Sequence, residues 1–122
     1  IATTLELADI VISAIPYRYR RRHYRIHPAT RTFQAVRIAV NRELEALGLA
    51  IDKTIDFLKQ GSRICVISFH SLEDRIVKFA FRKFAAEGKI EILTPKPLTT
   101  KESEIADNPA SRSAKLRVAE RI

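Results

Sequence analysis

The sequence predicts an α/β fold, in the form of the second half of a doubly wound sheet. Three observations carry this. The short run Arg63-Ile64-Cys65-Val66-Ile67 is apolar, rich in β-branched residues, and reads as a buried strand. It passes directly into a segment with Ile76, Val77, Ala80, Phe81 and Phe84 at helical spacing. Two helical segments come before this strand and two further strands after it, so the order is helix, helix, strand, helix, strand, short segment, strand.

Taken in order, Thr3 or Thr4 caps a first helix that runs to about Ala14, with Leu5, Ala8, Ile12 and Ile15 at helical spacing. Pro16 ends it. A second helix starts near Thr30, and Thr30 or Thr32 can cap it. Phe33, Val40, Leu44 and Leu47 recur at steps that form an amphipathic stripe. Gly48 is expected to break or bend this helix, and Gly61 to stop its continuation. The strand at 63–69 follows. The next helix runs from Ser71 to about Glu87, started by a Ser71-x-x-Asp74 capping box and ended at Gly88. Lys89–Leu93 alternates as a short strand, and Pro95 and Pro97 prevent its continuation. A short helix at 100–106 and a turn at Asn108-Pro109 precede a last strand over 114–122, with Leu116 and Val118 facing one way.

With 122 residues the chain is at most one domain, and an apolar fraction of 46% is ordinary for a globular core. Twenty-two basic residues stand against 14 acidic ones, giving a net charge of +8, and such an excess favours polyanionic partners. The single cysteine, Cys65, excludes a disulfide framework, suits a reducing, cytoplasmic setting and reads as core filler. No apolar run is long enough to span a bilayer, so no membrane partner is expected. The absence of an initiator methionine, or of any methionine, points to a piece of a longer protein.

The chemistry concentrates in a few stretches. Tyr17–Arg25 holds five arginines (Arg18, Arg20, Arg21, Arg22 and Arg25), three tyrosines and no acid. Guanidinium groups pair with phosphate, and both residue types stack on bases, so this loop suits RNA. Ser68, His70 and Ser71 sit where a strand hands over to a helix, the edge at which open α/β sheets bind ligands. His70 either hydrogen-bonds a loop carbonyl there or contacts a bound base or cofactor. His27-Pro28-Ala29-Thr30-Arg31 is a rigid helix entry. A cation at Arg31 opposes the helix dipole, which suggests a separate task such as holding a phosphate or carboxylate. Asn41, beside Val40 on the amphipathic helix, is either a structural contact or a site residue. There is no Gly-rich phosphate loop, no nucleophile elbow, and no zinc-type spacing among His23, His27, His70 and Cys65, so no metal site is expected.

Four blocks then carry a resemblance: Ile26-His27-Pro28-Ala29-Thr30-Arg31-Thr32-Phe33-Gln34-Ala35; Val40-Asn41-x-Glu43-Leu44; Val66–Lys78; and Asn108-Pro109-x-Ser111-Arg112-Ser113-Ala114-Lys115-Leu116-Arg117. Together they resemble the MraW-type methyltransferases, the bacterial small-subunit rRNA methyltransferases H, over nearly the whole chain. The resemblance implies the C-terminal part of a class I, Rossmann-like methyltransferase sheet preceded by the end of a helical insertion. Residues 1–25 would be that insertion's end, and residues 26–122 the return to the sheet with its fifth, sixth and antiparallel seventh strands. It implies transfer of a methyl group from S-adenosylmethionine to the N4 of a cytidine in the decoding region of small-subunit rRNA. The partner would be that rRNA or the assembled small subunit, with oligomers possible. On that template His27, Arg31, Asn41, Ser68, His70 and Ser71 line the base pocket, the five arginines hold RNA, and Arg112, Ser113 and Lys115 form the site rim. The family's main cofactor loop has no counterpart in these residues, so the chain alone is expected to be inactive. The competing reading is a non-catalytic, basic RNA-binding module.

Replacing the arginines of 18–25 by alanine is expected to weaken RNA binding and flatten its salt dependence by roughly 0.7 in log–log slope per lost phosphate contact on a single strand. Affinities measured across a salt series check this.

Overall fold

Local side chains set the first boundary. The Thr3 hydroxyl accepts a hydrogen bond from the Glu6 amide at 3.1 Å, and the Glu6 carboxylate accepts from the Ala2 amide at 2.7 Å. This reciprocal cap starts α1 (Thr4–Ala14), which ends as Ile15 turns extended ahead of Pro16. The computed structural model describes residues 1–20 and 26–122, which divide into two units, Ile1–Glu43 and Leu44–Ile122.

In the first unit α1 is followed by a single turn, α2 (Tyr17–Arg20), and by α3 (Thr30–Asn41). Thr30 is the first residue of α3, not its cap; Ala29 holds the cap position and supplies no side-chain bond. The long amphipathic stripe does not break at Gly48. It breaks at Arg42, whose left-handed backbone (φ 51°, ψ 37°) ends α3, and α4 (Glu43–Phe57) runs straight through Gly48. Three-to-four-residue apolar spacing continues on both sides of Arg42, so periodicity alone conceals the joint. A mid-helix glycine costs only about 1 kcal/mol relative to alanine, less than the packing that α4 gains.

The second unit is built around β4 (Lys115–Arg121). It is the centre of a four-stranded sheet and pairs antiparallel with β1 (Arg63–Ser68), β2 (Ile90–Ile92) and the two-residue β3 (Leu98–Thr99). Because β1 and β2 both run against β4, they run parallel to each other. The helix that joins them, α5 (Ser71–Ala86), makes a β–α–β crossover around an inserted antiparallel strand. Side-chain alternation turns Ile64, Val66 and Ser68 of β1 inward. They meet one core made from Ile51 and Ile55 of α4, Val77, Phe81 and Phe84 of α5, Ile90 of β2 and Ala119 of β4. The i, i+4, i+7 spacing of the three α5 residues supplies its buried stripe.

Two expectations are corrected here. Cys65 is exposed, because the same alternation that buries Ile64 and Val66 turns it outward. On β4 the buried positions are Arg117 and Ala119, with Leu116 and Val118 on the more open face. The small Ala119 joins the core, and the Arg117 charge is neutralised where it is buried. The strand 63–69 closes one residue earlier, at Ser68, and β3 forms despite its flanking proline.

The end of α5 follows the expected glycine. Gly88 adopts φ 69°, and the Gly88 and Lys89 amides donate to the carbonyls of Ala85 and Phe84 at 3.0 and 2.9 Å, a Schellman closure. Between α5 and β4 the chain adds α6 (Glu102–Asp107) and a 3₁₀ turn, Pro109–Ser113.

A Cβ added at Gly48 meets no atom within 4 Å. Gly48→Ala is therefore expected to stabilise the chain by about 0.5–1 kcal/mol, read as a raised urea midpoint with unchanged slope.

Candidate functional site

The polar corner after β1 is organised by His70 and Glu73. His70, not Ser71, is the N-cap of α5, and its Nδ1 accepts from the Glu73 amide at 3.3 Å. Glu73 answers by accepting from the Phe69 amide at 2.9 Å. The expected Ser71–Asp74 box is thus shifted one residue towards the N-terminus, which frees the Ser71 hydroxyl and Asp74 for other contacts. With Nδ1 occupied as an acceptor, the neutral imidazole carries its proton on Nε2. That atom is buried and 2.9 Å from Glu73 Oε1, but out of line for a hydrogen bond, and among the described residues no other partner reaches it.

Asp74 instead reaches across to β4. Its Oδ1 and Oδ2 accept from Arg117 Nε and Nη2 at 2.7 and 3.3 Å, and Lys115 Nζ lies 3.8 Å from Oδ2. The hydrogen bond from Arg117 holds the Asp74 carboxyl below its ordinary range. Burial pushes the other way, and the charges of Arg117, Lys115 and Lys78 add to the lowering. This bidentate pair fixes the first turn of α5 against β4. Ser68, 3% exposed at the end of β1, adds a weak 3.5 Å bond to the Lys115 carbonyl.

Between these anchors lies a cavity of about 330 Å³ lined by Phe69, His70, Ser71, Thr99, Arg112, Ser113, Ala114 and Lys115. Five residues chosen from sequence therefore meet here: His70 and Ser71 from the strand–helix corner, and Arg112, Ser113 and Lys115 from the tail motif. Ser68 does not line the cavity. The sequence reading missed Phe69, 55% exposed, and Thr99, as well as Arg117, which anchors the wall. Phe69 stood inside the matched block and could have been chosen. Thr99 carries no local signal, since it lies in a two-residue strand.

The other candidates fall in the first unit. His27 and Arg31 line a separate cavity of about 610 Å³ with Ile15, Ile26, Pro28, Thr30 and Gln34. His27 Nδ1 accepts from the Ala29 amide at 3.2 Å, so this nitrogen holds the helix entry. Asn41 lies in neither cavity: its amide donates to Glu43 Oε1 at 3.1 Å, beside the Arg37–Glu43 pair at 2.9 Å, at the joint between α3 and α4. Arg18 is exposed, with its guanidinium 4.8 Å from the Tyr19 ring centroid. Arg20 closes α2, whereas Arg21, Arg22 and Arg25 lie outside the described residues.

A strand–helix corner of this kind, joined to a basic tail, defines a class when set beside known proteins. A sequence model of the MraW methylase family matches residues 1–122, and the chain belongs to that family. Three relatives named ribosomal RNA small subunit methyltransferase H are close. The protein of Synechococcus elongatus is 56% identical over 119 residues, 98% of this chain and 38% of its own length. Those of Persephonella marina and Sulfurihydrogenibium azorense are 58% and 56% identical over 122 residues, covering all of this chain and 41% of each relative. The chain thus spans about two fifths of the length of the curated relatives it matches.

Asp74→Asn is expected to cost about 3 kcal/mol at neutral pH, since it leaves Arg117 buried without a counter-charge. A carboxyl whose folded-state pKa is lowered contributes stability above its unfolded value, near 3.9, and loses it as pH falls through the folded value. The difference between wild type and variant should therefore shrink below about pH 4, as read by urea unfolding across pH.

Proposed function

We propose that the chain is the C-terminal part of an S-adenosylmethionine-dependent rRNA methyltransferase that acts on the N4 of a cytidine in the decoding region of small-subunit rRNA. Within that enzyme it supplies the nucleotide-binding wall. The observation that carries this reading is the meeting of Phe69, Ser71, Arg112, Ser113 and Lys115 around one cavity, from positions over forty residues apart in sequence. An aromatic face, two hydroxyls and two cations are what an unstacked nucleotide needs: stacking for the base, acceptors for its exocyclic amine, and counter-charge for phosphate. The hydroxyls of Ser71 and Ser113 can accept from the amine and hold its lone pair towards the methyl donor. Holding the base in line is the larger effect, because methyl transfer from a sulfonium depends chiefly on positioning and on excluding water. Arg112 and Lys115 would grip the backbone beside the extruded base, and the arginines of the 18–25 segment would hold other phosphates of the RNA.

The cofactor does not fit this cavity. S-adenosylmethionine carries a sulfonium charge, and ribose hydroxyls that favour an acidic partner, whereas the lining offers two cations and no carboxylate. The three glycines, Gly48, Gly61 and Gly88, lie outside it. Cofactor binding is therefore assigned to the part of the family's chain beyond these residues. Two further features support a larger parent. The order β1-β4-β2, with an antiparallel strand inserted between two parallel ones, agrees with the end of a class I methyltransferase sheet. The outer face of the sheet is also apolar and open, with Ile67 and Leu98 59% and 56% exposed.

Titration calorimetry of the chain with S-adenosylmethionine is expected to give no saturable heat, and tight binding would overturn the assignment of the cofactor site. The Arg112→Ala/Lys115→Ala double variant is expected to bind a decoding-region RNA hairpin roughly tenfold more weakly, with a salt slope shallower by about 1.4. An unchanged slope would sink the nucleotide-wall reading.

A further inference from the structure

A second cleft lies on the other side of Asp74–Arg117. It measures about 220 Å³ and is lined by Lys78, Phe81 and Arg82 of α5, Ile92 of β2, Pro95 and Arg117. Three of its six residues are cationic and none is acidic. Asp74 neutralises Arg117, which leaves Lys78 and Arg82 as the net charge. Among the described residues neither forms an ion pair with a carboxylate. Their surroundings repeat the pattern: Arg75, Lys78, Arg82 and Lys83 give four cations and no acid over residues 75–86. The apolar wall is Ile92 and the exposed ring of Pro95 over a floor of Phe81, which is 1% exposed.

The wall is held in place. The Leu93 and Thr94 amides donate to the Val118 carbonyl at 3.0 and 3.2 Å, and the Val118 amide donates to Thr94 Oγ1 at 2.8 Å. The loop that presents Pro95 is thus pinned to β4 on both sides of a single residue. A pinned apolar wall facing two unpaired cations matches a ligand with both a flat apolar part and an anionic part.

We propose that this cleft is a second nucleotide-binding site, which takes a nucleotide of the same RNA about three to five positions from the one in the first cavity. Lys78 and Arg82 hold its phosphate, and its base lies against Pro95 with the Arg82 guanidinium as a second stacking surface. The proposal rests on the reading of the chain as RNA-binding and extends it from one nucleotide to a track. Along α5, at 1.5 Å per residue, Lys78 and Arg82 lie roughly 10 and 16 Å from Ser71, or about three to five stacked nucleotides.

The test combines affinity and position. The 122-residue chain is titrated with a single-stranded RNA carrying 4-thiouridine three to five positions from its target cytidine, and is then cross-linked and mapped by mass spectrometry. The expected results are cross-links within Lys78–Arg82 or Ile92–Lys96. In the Lys78→Ala/Arg82→Ala variant these are lost, and the salt slope becomes shallower by about 1.4. Arg82→Ala alone, an exposed position, is expected to give half that change. If the double variant keeps its slope while Arg112→Ala/Lys115→Ala loses it, the second site is wrong and the first stands. Cross-links confined to Phe69–Ser71 and Arg112–Lys115 overturn the second site even if the slope falls. If the unsubstituted chain binds RNA with no salt dependence, both readings fail.

Discussion

The Asp74–Arg117 pair is the contact on which the second unit depends. It joins the first turn of α5 to the middle of the central strand, across 43 positions of sequence, with both side chains largely withdrawn from water. A buried charge without a partner is costly, so the pair also specifies register. Slipping β4 by one residue would turn Arg117 outward and place an apolar side chain beneath Asp74. Both clefts are built against this pair: Lys115 borders one and approaches Asp74 at 3.8 Å, and Arg117 itself borders the other.

The strand–helix corner was legible because its signals are local. A β-branched run, a polar corner and an i, i+4, i+7 stripe lie within twenty-five residues, and β1, α5 and the Gly88 stop all follow. The details that failed are those in which two local signals compete. Ser71-x-x-Asp74 and His70-x-x-Glu73 are equally spaced candidates for the cap, and the second prevails because Asp74 is drawn away by Arg117. Gly48 offered an obvious break, yet the chain turned at Arg42, where no residue type announces a left-handed backbone. Cys65 was misjudged because an unbroken apolar run suggests burial on both faces, whereas here alternation buries only one.

The candidate site was legible in part and for a different reason. Ser71 and Arg112 cannot be joined by any spacing rule; what unites them is the antiparallel return of β4 beside β1, which pairs Ser68 with Lys115. Resemblance selected both motifs, and the register explains why they belong together. Arg117 shows the limit. Within an alternating strand it occupied an inward position, but an arginine in such a pattern reads as solvent-facing until its acidic partner is known.

Charge ties these points together. Several of the acids have intramolecular work: Glu6 and Glu73 cap helices, Glu43 pairs with Arg37 at the α3–α4 joint, Asp74 anchors Arg117, and Glu120 pairs with Arg63 across β1 and β4 at 2.8 Å. These duties use carboxylates at places where the fold needs them and leave the +8 excess unevenly distributed. Among the described residues, Arg112 at the end of β1 and Lys78 and Arg82 along α5 have no carboxylate partner. Part of the surplus borders two clefts that each also offer an apolar surface, and a ligand that alternates anionic and flat apolar groups satisfies both at once.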